Sequence, residues 1–207
     1  MPAVRTPEPI LQQYNSYVPT DARSTDTTRR RILFGVPAAI LGGGVILWRF
    51  SDGPAAQPKL VTIVEFDDGG GGQRTSQRLQ VARPDSDWRS QLTAQQYWSA
   101  RRGTTDTPFS GTLYRSHAPG LARCVCCGNA LFHSRDQFDS GTGWPAYSAP
   151  VAQENIWTRE DSSLGLRHTE VLCRLCDAHL GHVFDDGPPP QGLRYCINES
   201  ALRLVRG

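Results

Sequence analysis

The first 28 residues are polar, rich in Pro, Thr and Ser, and carry no sustained hydrophobic period; they read as disordered. Three arginines, Arg29 to Arg31, then precede an uncharged run at residues 32–48. Seventeen residues is the low end for a spanning helix, and the Gly and Pro within the run weaken its apolarity. After a linker rich in Pro and Ala (residues 51–59), the β-branched "LVTIVEF" predicts a strand. "DDGGGGQ" then predicts a turn and "SQRLQVAR" a returning strand. Between residues 85 and 102, Trp88, Leu92 and the Gln95/Gln96 pair recur at three- to four-residue spacing. That spacing predicts one short helix, with Asp85, Ser86 and Asp87 as N-cap candidates. Beyond Gly103 the chain becomes short apolar runs broken by Gly, Pro and Asp, the pattern of packed antiparallel sheets. The expected fold class is therefore mainly β with a short N-terminal helix. Its expected organisation is a tail (1–31), a hydrophobic signal or anchor segment (32–50), a linker with a β-hairpin (51–80) and one domain (81–207).

Composition agrees. Twenty glycines and fifteen prolines in 207 residues argue against a helical bundle. A formal net charge of +2, with no basic stripe interleaved with aromatics, argues against a nucleic-acid partner. The segment "TRRRIL" has the form of a twin-arginine export signal built on Arg29 and Arg30. A retained anchor fits as well, with the arginines on the cytoplasmic side. Both readings put the domain in the bacterial periplasm or on the outer face of the inner membrane. Acidic Glu8, Asp21 and Asp26 argue against a mitochondrial transit peptide.

The six cysteines are not spaced like a disulfide framework. Four form two C-x-x-C pairs, Cys124/Cys127 and Cys173/Cys176, and two are left over, Cys126 and Cys196. Two residues between ligands let a tight turn aim both sulfurs at one point, and Gly128 suits the backbone of that turn. Two such pairs predict one closed, structural tetrahedral Zn2+ site per chain, although iron accepts the same ligands. Cys196 lies in "LRYCINES", where a strand would place Arg194, Cys196 and Asn198 on one face. A guanidinium beside a thiol favours the nucleophilic thiolate. Upstream, His179 and His182 stand three apart, either an acid/base resource or a pair of structural histidines.

Several dense motifs, in order, resemble the peptide-methionine (R)-S-oxide reductases: "QYWSARRGTTDTPFSG", "CVCCGNALF", "FDSGTGWPAY", "CDAHLGHVFDDGP" and "RYCINESAL". The similarity runs from about Val81 to Val205. It implies that Cys196 is the nucleophile, that His179, His182 and Asn198 line the sulfoxide site, and that Arg194 flanks the nucleophile. Trp144 would receive the substrate S-methyl group, and Cys124, Cys127, Cys173 and Cys176 would bind structural zinc. The implied reaction is thiol-dependent reduction of methionine-R-sulfoxide in oxidised proteins or peptides through a Cys196 sulfenic acid. Many members of that family carry a resolving cysteine where this chain has Thr142, so a thioredoxin-like or other external thiol must regenerate Cys196. Cys126, the remaining thiol, reads as a spare residue on the knuckle turn. Two other readings compete: a zinc-stapled, non-catalytic binding module, and a hydrolase with His179 and His182 as metal ligands, for which no H-E-x-x-H pattern is present.

Overall fold

The computed structural model describes residues 57–116, 118–161 and 168–206. The tail, the twin-arginine motif and the apolar run at 32–50 lie outside the described residues. Within the described residues no helix is long and apolar enough to cross a membrane.

β1 (Leu60–Glu65) and β2 (Arg74–Leu79) form the expected hairpin, with Leu60 opposite Leu79 and Glu65 opposite Arg74. The return strand begins two residues earlier than "SQRLQVAR" suggests. Glu65 explains this, because its carboxylate collects Arg74, Ser76 and Arg78 across the hairpin. The expected single helix is instead two, α1 (Asp85–Gln91) and α2 (Ala94–Arg102). The break is written in Thr93. Its hydroxyl accepts from the Gln96 N–H while the Gln96 side chain accepts from the Thr93 N–H, a reciprocal capping box that starts a new helix. The expected N-cap residues do not cap α1: Pro84 holds that position, and Asp85 and Asp87 lie in the first turn. There their charges favour the helix N-terminus. Gly103, in the left-handed region at φ 71°, ends α2.

The rest of the domain is antiparallel sheet. A three-stranded sheet runs β11–β3–β4, built from Leu202–Val205, Leu121–Cys124 and Ala130–His133. A six-stranded sheet runs β5–β6–β10–β9–β8–β7. Its strands are Gln137–Phe138, Ala146–Tyr147, Arg194–Ile197, His179–Phe184, His168–Cys173 and Ile156–Asp161. Phe132 of the smaller sheet stacks on Tyr147 of the larger one at 4.6 Å and meets Tyr195 at 5.7 Å, so the aromatic core joins the two. Trp88 from α1 is buried, with the guanidinium groups of Arg83 and Arg101 5.3 and 4.8 Å from its ring centroid.

Candidate active site and four-thiolate metal site

The two C-x-x-C segments fold into near-copies of one turn. In the first, the Gly128 N–H donates to the Cys124 carbonyl at 2.9 Å and the Cys124 N–H donates to the Asn129 carbonyl at 2.8 Å. In the second, the Asp177 N–H donates to the Cys173 carbonyl and the Cys173 N–H to the Ala178 carbonyl, both at 2.9 Å. The residue after the second cysteine needs a positive φ each time: Gly128 at 77° and Asp177 at 55°. Aspartate tolerates this region better than most residues. Here its carboxylate also accepts from the Trp157 indole and the Gln80 amide.

These turns bring the sulfurs of Cys124, Cys127, Cys173 and Cys176 within 4.8 Å of one another. The Cys124–Cys176 separation is 3.7 Å and the Cys127–Cys173 separation 3.6 Å. Four thiolates about 2.3 Å from a shared tetrahedral centre lie about 3.8 Å apart, so the set fits a metal ion. Three of the four are buried, as a closed structural site requires. Among the described residues no other group of His, Cys, Asp or Glu converges in this way. Cys126, also buried, has its sulfur among those of Cys124 and Cys176, and its carbonyl accepts from Gln91.

Cys196 sits in a different setting, at the middle of the six-stranded sheet. Pairing across that sheet puts Phe138, Ala146, Cys196, His182, Glu170 and Arg159 directly opposite one another in turn, one residue per strand. Directly opposed residues of antiparallel strands share a face, so this is a single row of side chains. His182 is thus the cross-strand partner of Cys196. The neighbouring row pairs Arg194 with Phe184, and the guanidinium lies 4.3 Å from that ring.

His179 is three residues from His182, and in a regular strand the two would face opposite ways. A bulge resolves this. Val171 pairs with Gly181 but Leu172 pairs with His179, so Leu180 is the extra residue. His179 thereby joins the face of Glu170, and its Nδ1 lies 2.8 Å from the Glu170 carboxylate. Arg159 engages the other oxygen of Glu170. Burial pushes the Glu170 carboxyl up, but its bonds to His179 and Arg159 prevail and hold it below the ordinary range. His179 Nε2 is buried without a hydrogen-bond partner. The His179 and His182 rings are 5.4 Å apart, and His168 stands 5.7 Å from His182. Burial lowers the His182 pKa, and the neighbouring imidazoles of His179 and His168 disfavour a further proton, so its imidazole is neutral at pH 7.

The bulge has a second consequence. The carbonyl of Leu180 turns to Asn198, accepting from its N–H at 2.8 Å and from its Nδ2 at 3.3 Å. The Asn198 side-chain oxygen accepts from the Asp106 N–H at 2.8 Å. Both ends of this amide are therefore committed to backbone, which makes Asn198 a tie between strand and loop. Gly181 permits the close approach: a Cβ there would lie 2.1 Å from the Cys196 carbonyl oxygen.

The Thr142 hydroxyl oxygen lies 4.0 Å from the Cys196 sulfur. Trp144, two residues on, donates its indole N–H to the Asp106 carbonyl at 2.8 Å, which fixes the ring. Arg194 is not simply a thiolate partner. It forms a two-pronged pair with Asp186, both bonds 2.8 Å. Burial pushes the Cys196 thiol up, and the pull of Arg194 and Thr142 in the other direction does not overcome it. Arg194 favours the thiolate as expected, but burial outweighs it and the resting thiol is protonated at neutral pH.

The structure thus puts Cys196, His182 and His179 on one face of the six-stranded sheet, with Arg194 in the neighbouring row, and ties both Asn198 and Trp144 to the backbone of Asp106, while the four-cysteine cluster sits in its own turns. Sequence reasoning missed Glu170, Asp106 and Asp186, which orient His179, Trp144 and Arg194. The alternation of "HTEVLC" puts His168 and Glu170 on one strand face, but nothing local says which strand lies opposite.

The SelR domain family matches residues 92–206. A peptide methionine sulfoxide reductase MsrB of Pseudomonas aeruginosa (strain UCBPP-PA14) is 49% identical over 125 residues, covering 60% of this chain and 95% of that protein. The MsrB of Herminiimonas arsenicoxydans is 48% identical over 124 residues, 60% of this chain and 90% of its own. Peptide methionine sulfoxide reductase B1, chloroplastic, of Oryza sativa subsp. japonica is 50% identical over 123 residues, 59% of this chain and 57% of its own.

Proposed function

The chain belongs to the SelR domain family and is a peptide-methionine (R)-S-oxide reductase, and on that premise we propose that Cys196 is the nucleophile, working with His182 and Trp144. The observation that carries this reading is the pairing of Cys196 directly opposite His182 on β9, with Thr142 against its sulfur. Trp144, held by its bond to the Asp106 carbonyl, offers a flat apolar wall for the S-methyl group. The sulfoxide oxygen then lies toward His182, whose neutral imidazole donates its N–H to that oxygen.

Because the thiol is half-buried and protonated at rest, it must lose its proton as substrate binds, with Arg194 supporting the developing thiolate. The Cys196 sulfur attacks the sulfoxide sulfur, the S–O bond to methionine breaks, and the oxygen passes to Cys196. The thiol proton ends on that oxygen by way of the histidines. The products are methionine and a Cys196 sulfenic acid, so sulfur is reduced in the substrate and oxidised in the enzyme. His179, oriented by Glu170 and Arg159, backs His182 in this proton movement.

Regeneration falls to an external dithiol such as a thioredoxin. One thiol attacks the sulfenic acid and releases water, and the second resolves the mixed disulfide. Thr142 supports this reading, since it occupies the contact with Cys196 where a resolving cysteine would serve. Cys126, enclosed among the cluster sulfurs, is a bystander. The metal held by Cys124, Cys127, Cys173 and Cys176 is zinc, one per chain, and its role is to clamp two distant segments. Residues 29–30 serve as a twin-arginine signal, so the domain works outside the cytoplasm. Replacing both arginines with lysine then strands the protein inside, and unchanged export would refute this assignment.

A single turnover without reductant tests the site. The zinc-loaded protein meets a methionine-R-sulfoxide peptide in the presence of dimedone, and peptide mapping locates the adduct. About one methionine per chain and a dimedone adduct on Cys196 are expected. A Cys126–Cys196 disulfide would make Cys126 the resolving thiol, and no methionine would sink the assignment of Cys196.

A further inference from the structure

Phe109 adopts the left-handed backbone region, φ 64°, and its side chain nevertheless remains 57% exposed. That conformation is unfavourable for a bulky residue and persists only where the surroundings over-determine it. Burial of the ring is not the compensation, so the cause lies in how this stretch is tied down.

Residues 106–113 form a strap held at both ends by the two residues that follow Asn198. The Asp106 carboxylate accepts from the Ser200 N–H at 2.8 Å and from its hydroxyl at 2.7 Å. The Glu199 carboxylate accepts from the Thr112 N–H at 2.9 Å and the Leu113 N–H at 2.7 Å. At the centre, the Phe109 N–H donates to the Gly143 carbonyl at 2.9 Å. A Cβ on Gly143 would lie 2.7 Å from that nitrogen and 2.8 Å from the ring. Tyr114 meets the Phe109 ring edge-on at 5.5 Å. The strap is therefore fastened to the residue before Trp144 and, through the Asp106 carbonyl, to the Trp144 indole. The exposed Phe109 ring is thereby anchored to the backbone of Gly143, the residue next to Trp144.

We propose that Phe109 is a specificity-determining residue. Its ring receives the residue flanking the oxidised methionine, so that the enzyme favours methionine-R-sulfoxide within a polypeptide over the free amino acid. The proposal rests on the reductase reading above. A free amino acid ends at its own ammonium and carboxylate and has nothing to lay on the ring. A polypeptide carries its neighbouring side chain or peptide plane onto that surface, where an aromatic face contributes through contact area.

The test uses the full chain with dithiothreitol as reductant. It compares kcat/KM for free L-methionine-R-sulfoxide with that for a short peptide carrying the sulfoxide between two leucines. Phe109→Gly removes the ring while suiting the positive φ, and Phe109→Tyr keeps the ring. The wild type should prefer the peptide. In Phe109→Gly the peptide-to-free ratio should fall about tenfold, through a higher peptide KM, and Phe109→Tyr should keep it within about twofold. A ratio that survives Phe109→Gly overturns the proposal, as does an equal loss on both substrates, which would make Phe109 a fold element. A wild type inactive on both would overturn the reductase reading itself, and this proposal with it.

Discussion

The chain uses cysteine in two ways, and the two sites are built by opposite means. The four-cysteine site consists of two local turns, each closed within six residues by its own backbone hydrogen bonds, and needs only one long-range event to bring them together. The Cys196 site has almost no local component. Its row of side chains draws one residue from each of six strands, and its supporting bonds span up to 94 positions of sequence. The first kind of site supports the fold and is closed; the second depends on the fold and stays open to substrate. Damage to them should therefore separate in the readout, stability for one and chemistry for the other.

The sharpest break is at the metal. Cys173→Ser, or removal of the bound metal by a strong chelator, leaves the remaining thiols of the cluster without their cation. Structural zinc sites contribute on the order of 10 kcal/mol of apparent binding free energy, so the domain should lose its cooperative thermal unfolding transition. A chelated protein that still melts as before would place the metal outside the fold's support. At the other pole, Cys196→Ser should lower turnover by on the order of 10³-fold or more with little change in melting temperature. A large drop in melting temperature would blur the distinction drawn here.

Gly181→Ala tests where the two kinds of damage meet. The added methyl collides with the Cys196 carbonyl, a backbone atom that cannot swing aside. Calorimetry should show a loss of roughly 2–3 kcal/mol, in the range of other overpacking substitutions. Because the bulge also orients His179 and Asn198, activity should fall further than stability explains.

The smallest effect concerns Arg194. Its positive charge opposes the burial that raises the Cys196 pKa, so Arg194→Met should raise that pKa further. The thiolate fraction at any fixed pH below the pKa then falls. Iodoacetamide modification of Cys196, followed against pH, should shift its midpoint upward. An unchanged midpoint would mean that the ion pair with Asp186 leaves Arg194 with no net pull on the sulfur.

The motifs made the chemistry of both sites readable, but to different depths. At the knuckles, Cys-x-x-Cys-Gly encodes ligand spacing and turn geometry together, and the structure adds only that Asp177 does for the second turn what Gly128 does for the first. At the helices, the period reads as one element because a 3.6-residue repeat tolerates a break. Thr93 and Gln96 carried the capping signal that divides it. At the reactive site, Arg194, Cys196 and Asn198 were grouped from strand alternation, yet Asn198 spends its amide on the backbone of Leu180 and Asp106.

What the sequence by itself determined is therefore what short-range physics can specify: two turns able to hold a metal, the hairpin, the β character of the domain and the candidates for its reactive groups. Only the tertiary structure decided how those groups meet. It placed His182 opposite Cys196, turned His179 onto the same face through the Leu180 bulge, and matched Glu170, Asp186 and Asp106 to the residues they orient. The reason is that strand alternation fixes the face of a side chain and says nothing of its neighbour, because register between strands is set by packing of the whole sheet.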